Sequence, residues 1–184
     1  QREAMAHFRG VADATDLPIM IYNNRVAYKV DLTPESFVEL SDVDNIIAVK
    51  ESSHDSRRIT DMYNACKDRY QMFCGVDDLV LENVLFGAQG WVAGLVNSFP
   101  KESVRLFELA REGRVDEALE IYRWFMPLLH LDVDVKLVQM IKLANQIAGE
   151  GSEWVRRPRL TLEGEERRMV TELVETAIAN RPNL

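Results

Sequence analysis

The chain has 184 residues, enough for one domain with a substantial core. Apolar residues make up 47% and charged residues 28%, an ordinary balance for a soluble globular protein. The formal net charge of −8 disfavours non-specific nucleic-acid binding, and no apolar run approaches the roughly 20 residues that would cross a bilayer.

Gln1–Ala14 reads as a helix with an apolar stripe of Met5, Phe8, Val11 and Ala12. No cap residue precedes it and no initiator methionine opens it, so an upstream segment is expected. Residues 18–22 form a short apolar strand closed by Asn23 and Asn24. Thr33 and Pro34 then open a helix that runs to about Leu40. Residues 46–50 read as a strand buried on both faces. Asp55 or Ser56 caps the next helix, which turns Ile59, Met62 and Tyr63 inward. Residues 71–74 make a third strand, and Asp77 and Asp78 start a helix through Phe86. Residues 91–96 make a fourth strand, ended by Asn97. From Pro100 onward only helices follow: about 101–112, 115–131, 134–147 and 163–179.

Four strands alternating with helices are the pattern of a parallel α/β sheet with crossover connections. An open doubly wound sheet fits, and so does half of an eight-stranded (β/α)8 barrel. No glycine-rich phosphate loop follows a strand, which argues against a dinucleotide site. The start within an element favours the half-barrel. Residues 1–98 would form that half and 99–184 the helical region that follows.

Lys50 is the residue that carries chemistry. A lysine closing a buried strand must hold its amine in low dielectric or reach a cavity. Burial without a counter-charge disfavours the ammonium and leaves a nucleophilic amine suited to Schiff-base formation. The alternative is a lysine that leaves the sheet and extends into water. Metal chemistry has no support, because His7, His54 and His130 are scattered. Cys66 and Cys74 make no close-spaced motif and suit reduced core residues of a cytoplasmic protein.

The strand ends, in order, read Tyr22-Asn23-Asn24, Ala48-Val49-Lys50-Glu51-Ser52-Ser53, Cys74-Gly75-Val76-Asp77-Asp78, Gly87-Ala88-Gln89-Gly90 and Gly94-Leu95-Val96-Asn97. This series resembles the dihydrodipicolinate synthase and N-acetylneuraminate lyase superfamily of Schiff-base-forming barrel enzymes, over their C-terminal half. The resemblance implies that Lys50 condenses with the C2 carbonyl of a 2-oxo acid and that Tyr22 moves protons at the imine. It implies that the backbones of Gly75 and Val92 line the pocket, that no external cofactor or metal is used, and that the protein is a homotetramer. The family's carboxylate-binding loop, of the G-T-T-G-E type, has no counterpart in the chain.

One position departs from the family pattern. Dihydrodipicolinate synthases carry an arginine five residues after the tyrosine, and here that residue is Ala27, with Arg25 nearby. The stretch from Tyr22 to Pro34, with Ile121–Phe125 and Val155–Leu160, is more similar to members that deaminate 1-pyrroline-4-hydroxy-2-carboxylate to 2,5-dioxopentanoate. Keto-deoxy sugar acid dehydratases and pyruvate aldolases are rival readings, as is a non-catalytic homologue that binds a 2-oxo acid. Tyr28 either contacts substrate or packs. Asp77 either lines the pocket or is a first-turn acid favoured by the helix dipole. Ser52, Ser53 and Asp55 read as helix-capping residues, and Arg156, Arg157 and Arg159 as docking the last helices or bridging subunits.

Overall fold

The computed structural model describes residues 1–183. A parallel sheet in the order β1-β2-β3-β4 organises the first part of the chain. Its strands are β1 (Ile19–Asn23), β2 (Ile46–Glu51), β3 (Gln71–Cys74) and β4 (Gly90–Trp91). The intervening helices are α1 (Arg2–Asp13), α2 (Arg25–Tyr28), α3 (Pro34–Glu39), α4 (Arg57–Cys66) and α5 (Val80–Leu85). Helix α2 was not anticipated from the sequence. Asn24 starts it by accepting the Ala27 N–H at 2.9 Å, and Lys29 ends it in the left-handed region, φ 59°.

Side chains alternate across each strand, so the paired register assigns two faces. Ile21 and Asn23 share one face with Val49, Glu51, Met72 and Cys74, and all six are buried. Tyr22, Lys50, Phe73 and Gly90 form a rung on the other face. That face is partly open: Met20 and Tyr22 are 40% and 37% exposed. The sheet is therefore dry on one side only.

The dry face is secured at the start of β2 and β3. The Arg69 guanidinium donates to three carbonyls of the loop into β2: Ser41 at 2.9 Å, Val43 at 2.7 Å and Ile46 at 2.9 Å. Tyr70 packs edge-on to Phe37 and donates its hydroxyl to the Phe37 carbonyl at 2.8 Å. Thr33, expected to cap α3, makes no side-chain cap bond. Asp55 accepts the Arg57 N–H at 3.1 Å at the start of α4, which agrees with the expected cap.

The fourth strand is shorter than the expected 91–96. Val92 still donates to the Cys74 carbonyl at 2.9 Å, but the chain then leaves the sheet for a turn at Leu95–Asn97. Gly94 explains the departure. A Cβ there would lie 2.2 Å from the Asp132 carboxylate, so the backbone is drawn against that residue instead of continuing the ladder. Two compact units follow, Gln1–Val92 and a second beginning at Ala93, where element types alone placed a boundary after residue 98.

The second unit comprises α6 (Pro100–Arg111), α7 (Val115–Leu129), α8 (Leu137–Ala148) and α9 (Gly164–Ala179). Phe99, Trp124 and Phe125 form an aromatic cluster in which Trp124 and Phe125 stack at 5.2 Å. The Trp124 indole donates to the Ala177 carbonyl at 3.1 Å and so anchors α9 to α7. The buried Glu102 pairs with Arg181 at 2.9 Å. Among the described residues, no helix is long and apolar enough to cross a membrane.

Candidate active site

The ends of β1 and β2 bring Tyr22 and Lys50 together. They are direct register partners, and the Lys50 Nζ lies 4.1 Å from the centre of the Tyr22 ring. Lys50 is half-buried rather than enclosed, so its amine reaches the open face of the sheet. Its partner there is the π face of a ring, which attracts a cation without accepting its proton. The Tyr22 hydroxyl accepts from Asn24 Nδ2 at 3.0 Å. The lysine and the phenol singled out in the sequence are thus neighbours on one face of the sheet.

Gly75 makes room for that lysine. A Cβ at this position would lie 2.7 Å from Lys50 Cε, 2.8 Å from Lys50 Cγ and 2.0 Å from Ser52 Oγ. The Gly75 N–H continues the sheet by donating to the Glu51 carbonyl at 2.9 Å. Gly75 thus lies against the Lys50 side chain, and its missing Cβ leaves space for the lysine stem. Gly90 behaves likewise: its Cβ would meet the Phe73 ring at 2.2 Å.

Tyr28 stands over Tyr22, edge to face with centroids 5.5 Å apart, and is 57% exposed. It is thus both packed on the candidate phenol and open to a ligand. Val92 is 39% exposed just past the end of β4. Asp77 does not join this group. It is fully buried, and its carboxylate accepts the Trp91 indole N–H at 3.0 Å. Of the pocket role and the first-turn role open to it from the sequence, its burial against Trp91 favours a place in the scaffold.

Beneath the rung lies a polar cluster that was not anticipated from the sequence. Asn23, Glu51, Asp31 and Arg58 interlock there, and burial pushes the Glu51 carboxyl up despite its hydrogen bonds from Asn23 and Ser53 and the charge of Arg58. The available signal was parity. Glu51 has the same strand parity as Val49, so a carboxylate was being placed on the dry face. Arg25 turns toward this cluster, with Nε donating to the Ser53 carbonyl at 3.3 Å and Nη1 3.8 Å from Asp31. Among the described residues, no group of His, Cys, Asp and Glu is arranged to hold a metal ion.

Comparison with known proteins identifies the family and the fold. Residues 1–177 match the dihydrodipicolinate synthetase family. The 4-hydroxy-tetrahydrodipicolinate synthase of Exiguobacterium sibiricum is 37% identical over 129 residues, covering 70% of this chain and 44% of that protein. An enzyme of the same name from Halalkalibacterium halodurans is 29% identical over 175 residues, covering 95% and 60%. The crystal structure of dihydrodipicolinate synthase from Aquifex aeolicus superposes with a TM-score of 0.88 at 27% identity, over 95% of this chain and 60% of that one. A prophage protein of the dihydrodipicolinic acid synthase family from E. coli K12, solved with pyruvate, gives 0.86 at 27% identity over 95% and 60%. The chain thus spans about half the length of the curated relatives it matches, and its fold corresponds to the C-terminal half of their barrel.

Proposed function

The chain belongs to the dihydrodipicolinate synthetase family, and from that premise we propose that it carries the reacting half of a lyase that forms a Schiff base with a 2-oxo acid or cyclic imino acid. The observation that supports this is the placement of Lys50 Nζ over the Tyr22 ring, with Gly75 clearing a path for the lysine stem. In this reading the Lys50 amine attacks the C2 carbonyl, a carbinolamine forms, and water leaves to give an iminium. The iminium draws electrons from C3, so that a proton or a carbon–carbon bond at that atom can be lost or made. Tyr22 carries protons to and from the departing oxygen and the substrate. Val92 and Tyr28, both exposed near the strand ends, would contact the substrate. The covalent imine makes an external cofactor unnecessary.

Three substrate classes are in contention. The names of the relatives favour the 4-hydroxy-tetrahydrodipicolinate synthase reaction, and one structural neighbour was solved with pyruvate. Ala27 favours deamination of 1-pyrroline-4-hydroxy-2-carboxylate to 2,5-dioxopentanoate and ammonia with net addition of one water. Arg25 does not supply the arginine missing at residue 27, because its guanidinium is turned to Ser53 and Asp31. Dehydration or aldol cleavage of keto-deoxy sugar acids uses the same iminium. We further propose a homotetramer in the cytoplasm; the resemblance supports the assembly and two free cysteines suit the compartment.

Borohydride reduction in the presence of pyruvate tests the lysine. The natural full-length protein should gain the mass of the reduced adduct on the Lys50 peptide, and Lys50→Ala should not. No adduct on that peptide in the natural protein would leave only the binding homologue. Parallel assays with pyrroline-hydroxycarboxylate and with pyruvate plus aspartate semialdehyde then separate the substrates.

A further inference from the structure

Glu51 follows Lys50 directly and points to the opposite face of the sheet, where it is 3% exposed. Its two oxygens have separate duties. Oε1 accepts the Ser53 N–H at 2.8 Å, and Oε2 accepts Asn23 Nδ2 at 3.0 Å. Asn23 cannot turn its amide over. Its Oδ1 accepts the Leu32 N–H at 3.1 Å, and its Nδ2 also reaches the Leu32 carbonyl at 3.0 Å. Asn23 must therefore offer N–H to Glu51, and Glu51 must accept at both oxygens, which the ionised carboxylate does.

Tyr22 and Lys50 stand on the half-open face and meet through the ring face of the phenol, not through a hydrogen bond. Their spacing is consequently set by the backbone beneath them. Asn23 follows Tyr22 and Glu51 follows Lys50, so the Asn23–Glu51 bond joins the two strands one residue beyond the reacting pair. We propose that Glu51 is a positioning residue, whose carboxylate clamps the ends of β1 and β2 and thereby fixes the separation of the Tyr22 phenol and the Lys50 amine. The inference rests on Lys50 being the reacting amine.

Three groups face this carboxylate. Asn23 faces it from β1 and Ser53 from its own loop. Arg58 faces it from α4 and is itself paired with Asp31 at 2.8 Å; Arg25 lies beyond, on Ser53 and Asp31. Burial opposes ionisation and Arg58 favours it, so acidification should protonate Glu51 and release one side of the clamp.

The test compares the natural full-length protein with Glu51→Gln. Glutamine keeps the shape but puts one nitrogen where the network requires an oxygen. The readout is the rate of borohydride trapping at saturating pyruvate per folded molecule, taken across pH, with thermal melting in parallel. The variant should be trapped roughly tenfold more slowly, the equivalent of one lost charge-assisted hydrogen bond. The natural protein should show a second acid inflection, beyond the single-proton slope of the amine, that the variant lacks. Equal rates and equal pH profiles in a trapped natural protein would overturn the positioning role and leave the Lys50 reading intact. No trapping in the natural protein would remove the premise and the proposal together. Should the variant not fold, the natural protein decides alone. Its trapping rate must bend at the pH where the carbon-13 signal of Glu51 reports protonation, and a single-proton slope throughout would overturn the clamp.

Discussion

At the scale of single residues, Gly75 and Glu51 hold the candidate site in opposite ways: one by lacking atoms, the other by burying a charge. Gly75→Ala would drive a methyl group to 2.7 Å from Lys50 Cε and 2.0 Å from Ser52 Oγ. Overpacking of this kind costs about 1–3 kcal/mol, and here the lysine stem must move to relieve it. The expected outcome is a folded variant with a lowered urea midpoint and strongly reduced pyruvate trapping. Glu51 sets stability against function. Its folded pKa is raised above the ordinary 4.5 by burial, so the folded state binds more protons than the unfolded state from that value upward to the folded pKa. Its contribution is fully present below about 4.5, the ordinary glutamate value, and is lost as pH rises through the folded value. Glu51→Gln does not titrate, so it should gain on the natural protein in urea denaturation as pH rises from 4.5 to 7. A gap between the two that stays constant over this range would contradict the burial of the charge. Lys50 itself was legible in the sequence because a cation ending an apolar β-branched run is physically costly. Glu51 was not, since an acid next to a strand end usually faces water, and only register shows which face it takes.

At the scale of elements, alternation and turn residues were enough to locate β1, β2 and β3 and their helices. The ends were harder. The fourth strand looked long because Trp91–Val96 is apolar, yet the close approach of Gly94 to Asp132 takes the chain out of the ladder. That contact joins residues far apart in sequence and leaves no local trace. Helix α2 escaped notice for the opposite reason: it is a single turn, made by one Asn24 cap and one left-handed Lys29. The joint between α3 and β3 can be tested directly. Tyr70 is buried with its hydroxyl on the Phe37 carbonyl, and burial pushes that phenol up to about 12. Tyr70→Phe strands the carbonyl and should cost about 1–2 kcal/mol. Phe37→Ala empties the fully buried ring position beside it and should cost about 3–5 kcal/mol. Chemical denaturation checks both, and equal losses would mean that the hydroxyl carries as much as the ring.

At the scale of the whole molecule, the sheet has one dry face and one partly open face, with β1 and β4 at its edges. Unpaired strand edges beside exposed Met20, Tyr22 and Val92 favour association. The 184-residue chain should therefore self-associate with rising concentration in sedimentation velocity. A stable monomer would show that the open face needs no cover. The choice between an open sheet and half of a barrel could not be made from strand count alone. The order of strand-end motifs decided it in the sequence, and the superposition on complete barrels agrees.

The three bonds from Arg69 have a consequence of another kind. They grip main-chain oxygens, which are the same whatever side chains surround them, and they lie at the end of the sheet away from Lys50. Strand alignment is therefore anchored by contacts indifferent to the loops at the opposite rim. Those loops can change residue by residue, as at Ala27, without disturbing the alignment. A scaffold fastened in this manner can exchange one substrate for another over evolutionary time while the amine stays where it was.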